Sequence, residues 1–89
     1  MNSYRIAART DAGEVSIITV AEQAHDSFNR PLGRPRFWHL VSTADGFDCL
    51  IQPGGTHTVG ELTSDGYQAD DGTVGAAARN VTEWLVANA

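Results

Sequence analysis

The chain has 89 residues, is 42% hydrophobic, and sets six Arg and no Lys against eleven acids, for a net charge of −5 at neutral pH. That length and composition describe one domain, residues 1–89, and exclude a disordered chain. The single cysteine, Cys49, excludes an intrachain disulfide and a zinc site built from cysteine alone.

Tyr4 to Arg9 and Glu14 to Thr19 flank Asp11-Ala12-Gly13 and predict an N-terminal hairpin. The β-branched Val15, Ile17, Ile18 and Thr19 favour strand over a helix running from Glu14. Thr19-Val20-Ala21-Glu22 fits a capping box, in which the Thr hydroxyl bonds the N3 amide and the Glu reaches back. It predicts a short helix over residues 20–29 with Val20, Ala21, Ala24 and Phe28 inward. Residues 30–36, Arg-Pro-Leu-Gly-Arg-Pro-Arg, are expected to form a loop, because two prolines remove backbone donors and bias the residues before them away from helix.

Arg36 to Thr43 and Phe47 to Gln52 predict strands around the turn Ala44-Asp45-Gly46. Phe47, Cys49 and Ile51 share a face at strand period, which assigns Cys49 to the core. Pro53-Gly54-Gly55 turns the chain into a strand from Thr56 to Leu62; Ser64-Asp65-Gly66 turns it again, and Tyr67 to Ala69 is a short edge strand. A C-terminal helix is predicted over residues 73–87 from the stripe Val74, Ala77, Ala78, Val81, Trp84 and Leu85, with Asp71 or Thr73 as N-cap. Gly75 falls inside this predicted helix, at a cost of roughly 1 kcal/mol relative to Ala. The expected fold class is α+β: a mostly antiparallel sheet, made of an N-terminal hairpin plus a three- or four-stranded meander, packed by a C-terminal helix, with a short helix in the middle connection.

Charge divides between the two halves. Residues 1–40 hold five Arg against four acids, a net of +1; residues 41–89 hold Arg79 against seven acids, a net of −6. An acidic half repels nucleic acid and anionic membrane and attracts basic protein surfaces. Glu61, Asp65, Asp70 and Asp71, with Tyr67 as an exposed aromatic among them, form the candidate partner-binding patch. Arg30, Arg34 and Arg36 form a secondary anion-binding candidate, because guanidinium forks grip oxyanions. The plain alternative is a solvated connector whose Arg side chains neutralise the protein's own acids.

The acidic turns lack EF-hand spacing. Pro53-Gly54-Gly55-Thr56 lacks the Lys and the spacing of a phosphate loop. His25, His39 and His57 include no i, i+4 pair. No metal, cofactor or catalytic residue is therefore assigned. A Cys49/His57 dyad across the second hairpin is a conceivable nucleophilic pairing, against which stands the expected core placement of Cys49. Phe37 and Trp38 are neighbours on a strand and must point to opposite faces, so one of them is exposed or covered by the middle helix.

The start of the chain has no apolar stretch behind a basic one, so no signal peptide is expected, and no apolar run approaches the ~20 residues of a membrane span. A small chain without disulfides fits a reducing cytoplasm. The expected function is a non-enzymatic protein-binding module for a partner with a basic surface. Its concrete form is an acidic inhibitor of a nucleic-acid-handling protein, of the phage counter-defence type. The alternative is a small enzyme or ligand-binding subunit that uses the Arg30–Arg36 segment and His57 at a homo-oligomer interface. Direct nucleic-acid binding is disfavoured by the acidic remainder.

Overall fold

The computed structural model describes residues 1–44, 48–63, 66–70, 72 and 74–88. Within them, six strands form one antiparallel sheet: β1 (Asn2–Ala12), β2 (Val15–His25), β3 (Pro31–Thr43), β4 (Asp48–Ile51), β5 (His57–Thr63) and β6 (Gly66–Ala69). A helix, α1 (Ala76–Asn88), follows. Strand order in space is the order in sequence. The expected N-terminal hairpin and separate meander are thus one continuous up-and-down sheet, and its class is α+β.

The β1–β2 hairpin closes through Gly13 and Glu14, with Ala12 opposite Val15. Gly13 has φ 69°, a left-handed conformation suited to a two-residue hairpin turn. A one-residue register shift at Ala7 bulges β1 against β2.

The predicted helix over 20–29 is absent. β2 runs on through His25, because Ala21 and Glu22 find ladder partners on both sides: Arg5 and Phe37, then Tyr4 and Arg36. The side chains that suggested a capping box are bound elsewhere. Thr19 Oγ1 lies 2.9 Å from His39 Nδ1, and the Glu22 carboxylate accepts from Arg36, Trp38 and Asn2. Long-range pairing overrides the local helix signal. The reversal occurs instead at Asp26, whose Oδ1 accepts from the amides of Phe28 and Arg30, both at 2.9 Å, while Asn29 sits at φ 61°.

The expected loop over 30–36 is also corrected: from Pro31 onward it is the first half of β3. Pro31 opens the strand, and Gly33, Arg34 and Pro35 lie in a bulge, where pairing shifts by two residues between Glu22↔Arg36 and Ala24↔Leu32. The Gln23 amide donates to the carbonyls of Leu32 and Gly33 exposed by that bulge. β4 pairs with β3 only from His39 to Ser42, so this proline-bearing half is an edge on that side.

α1 packs chiefly on β6 and also touches β2 and β5. The core joins Val20, Trp38, Leu40, Leu50, Tyr67 and Ala69 of the sheet to Ala78, Val81 and Leu85 of the helix. The helix stripe differs from expectation, since Val74 lies before the helix. Thr82 is buried and Ala77 exposed, and the Thr82 hydroxyl is satisfied by donating to the Ala78 carbonyl at 2.8 Å. Gly75 lies just before the helix rather than inside it, and its carbonyl accepts the Arg79 amide at 2.9 Å. It occupies the N-cap position, so the interior-glycine cost does not arise. The expected caps, Asp71 and Thr73, and the expected turns at Asp45-Gly46 and Ser64-Asp65 lie outside the described residues.

Candidate functional site

Among the described residues, one helix covers one face of the sheet, and no element packs on the other. Its side chains come from alternate residues of each strand. A row across β2–β5 reads Ile17, Val41, Cys49 and Val59; the next reads Thr19, His39, Ile51 and His57; the third pairs Ala21 with Phe37. Phe37 and Val59 are each 44% exposed, against 2% for Trp38. The adjacent aromatics therefore part as strand geometry requires: Trp38 enters the core and Phe37 faces out. The expectation that Phe47, Cys49 and Ile51 mark the core face of their strand is overturned for Cys49 and Ile51. Leu50 is the buried residue, and Cys49 and Ile51 stand half-buried on the open face; Phe47 lies outside the described residues.

Glu61 is exposed on this same face, opposite Gln68, and Asp70 is exposed at the end of β6. Tyr67 is not the exposed aromatic expected between them. It is 6% exposed, pairs with Leu62 beneath the helix, and donates its hydroxyl to the Thr58 carbonyl at 2.9 Å. Strand parity puts it on the covered side. Burial is the main cause holding its hydroxyl above the usual phenol range, with Asp70 adding to the effect. Asp65 and Asp71 lie outside the described residues. A cavity of about 380 Å³ between β6 and the start of α1 is bordered by Gln68, Gly72, Val74 and Arg79.

The secondary arginine candidate divides. Arg30 Nε is 3.0 Å from Asp26 Oδ2, and its guanidinium lies 5.2 Å over the Phe28 ring, so it serves the turn. Arg36 Nη2 is 2.6 Å from Glu22 Oε1. Arg34 is exposed in the bulge. Two of the three thus neutralise the protein's own acids and do not converge on a ligand. His57 pairs with Ile51, and Cys49 with Val59, so the conceivable Cys49/His57 dyad is a diagonal neighbour pair and not a facing one. Asp48 turns to the covered side, accepting from the Ser42 hydroxyl and the Leu62 amide, both at 2.7 Å. Among the described residues no three of His, Cys, Asp and Glu are placed to hold a metal ion.

The Glu22 cluster lies on the covered face, where its neighbour Tyr4 meets Trp84 of α1 with ring centroids 5.8 Å apart. Glu22 is 3% exposed. Its Oε1 accepts from Trp38 Nε1 at 3.1 Å and from Arg36 Nε and Nη2; its Oε2 accepts from Asn2 at 2.9 Å. Desolvation pushes its carboxyl up, but the bonds from Trp38, Asn2 and Arg36, together with the Arg36 charge, outweigh it and hold the group below the ordinary carboxylate range. The Tyr4 hydroxyl is held above its usual range, first by burial and then by the neighbouring Glu22 charge. Both carboxylate oxygens are occupied, and the cluster serves as a clamp across three strands.

A signal for the open face does exist in the residues themselves. β2 and β3 are apolar at both parities (Ile17 with Ile18, Phe37 with Trp38, Leu40 with Val41), the pattern of strands meant to be covered on two sides. Comparison with protein-family models, with curated proteins and with solved structures finds no match for this chain. No helix among the described residues is long and apolar enough to cross a membrane.

Proposed function

We propose that this chain is a small non-enzymatic protein-binding module, acting in the cytoplasm, whose contact surface is the open sheet face with Glu61 and Asp70 at its margin. One observation carries the proposal: Phe37 and Val59, each 44% exposed, sit on a face that also presents Ile17, Val41 and Ile51. A face that sets these apolar side chains among Thr19, His39 and His57, with charge at its rim, has the mixed composition of a binding surface. The acidic margin favours a partner whose apolar contact is flanked by basic groups and steers its approach. Inhibition of a nucleic-acid-handling protein is the form this takes where that basic surface is the one that grips phosphates.

The test is capture from host extract on immobilised wild-type chain and on the Phe37→Asp/Val59→Asp variant. Partners held by the wild type are expected to be lost from the variant. Identical sets on both would remove the open face from the account. The ligand-binding alternative has less support, because Arg30 and Arg36 are taken up by Asp26 and Glu22.

A further inference from the structure

The open face carries its charge at opposite corners. Arg5 stands on β1 beside Ala21, in the row that ends at Phe37. Glu61 stands on β5, diagonally across the apolar rows, next to Gln68 of β6. Among the described residues neither forms an ion pair. A cavity of about 320 Å³ opens beside Arg5, bordered by Ser3, Ala21, Gln23 and His25.

Resting on the protein-binding reading, we propose that the partner of this face is a second copy of the chain, packed sheet against sheet about a two-fold axis lying between the two faces. Such an axis, set across the diagonal, exchanges the charged corners. Arg5 of each copy then meets the partner's Glu61 over the cavity, and the two open faces close on one another with their strands crossing near 90°, as in an orthogonally packed sandwich, with the sheets ~10 Å apart. With strands ~4.8 Å apart and ~3.3 Å of rise per residue, the area between the two corners projects to roughly 400 Å². That is a small interface, which sets the dimer among weak associations and the test at concentrations up to sub-millimolar. A two-fold contact needs a self-complementary patch, and an apolar centre between one basic and one acidic corner is such a patch.

Sedimentation equilibrium of the full chain, from low-micromolar to sub-millimolar concentration, tests this. The wild type is expected to dimerise. Phe37→Asp and Val59→Asp are expected to be monomeric, with unchanged circular dichroism. Arg5→Glu and Glu61→Arg should each weaken the dimer roughly tenfold at low salt, and the double swap should restore it. A wild-type chain that stays monomeric, or a dimer indifferent to these substitutions, overturns the proposal. If a monomeric chain still captures another protein through Phe37, the protein-binding reading survives while the second copy is refuted.

Discussion

Replacing Glu22 by Gln keeps the shape of the side chain and removes its charge, which isolates what the carboxylate does. In the wild type, one oxygen takes three bonds, from Arg36 Nε at 3.1 Å, Arg36 Nη2 at 2.6 Å and Trp38 Nε1 at 3.1 Å, and the other takes the Asn2 amide at 2.9 Å. A hydrogen bond to a charged group stabilises by ~1.5–3 kcal/mol, against ~1 kcal/mol for a neutral pair. The Arg36 side chain is 54% exposed, so its ion-pair share is screened and discounted. The remainder comes to about 2 kcal/mol. For a domain of this size that lowers the melting temperature by roughly 10 °C. Urea unfolding followed by tryptophan fluorescence at pH 7, 5 and 3 provides the measurement. Because the folded-state carboxyl is held below its ordinary 4.5, its stabilisation is complete above that pH and is lost as pH falls through the folded value. The gap between wild type and Glu22→Gln should therefore be full at pH 7 and 5 and shrink at pH 3. A gap that stays constant across that range, or none at pH 7, would refute the clamp.

Gly60→Ala should be strongly destabilising, by several kcal/mol in the same urea assay, because a Cβ there runs into the β6 backbone, 2.8 Å from Ala69 Cα and 2.9 Å from the Gln68 carbonyl carbon. Gly75→Asp should stabilise by a few tenths of a kcal/mol, since the N-cap position is open and a carboxylate can accept the free amides of the first turn; a lower melting temperature would count against the cap assignment. At concentrations where the chain is monomeric, Trp38→Ala should cost about 3–5 kcal/mol, whereas its neighbour Phe37→Ala should cost about 1 kcal/mol or less; equal costs there would mean that Phe37 is as buried as Trp38 within one chain.

What neighbours along the chain dictate is legible in the residues alone. The strand runs, the Gly13 hairpin, the Gly54-Gly55 turn and the apolar stripe of α1 all follow from side-chain branching, backbone permissiveness and 3.6-residue spacing, which act over a few residues. The opposed placement of Phe37 and Trp38 follows too, since a pleat leaves no other choice. Three matters belong to the tertiary structure alone. Residues 20–25 stay extended because Tyr4, Arg5, Arg36 and Phe37 supply ladder partners from 14 or more positions away, and two-sided pairing outweighs one capping box. Arg30 and Arg36 are withdrawn from any ligand by Asp26 and Glu22, acids whose proximity no spacing rule shows. Which face becomes core is settled by where the helix comes to rest: it buries Tyr67 and Leu50 and leaves Phe37 and Val59 on the opposite face, uncovered within the chain. Alternation along a strand sorts side chains into two sets, but only the packed molecule says which set is covered.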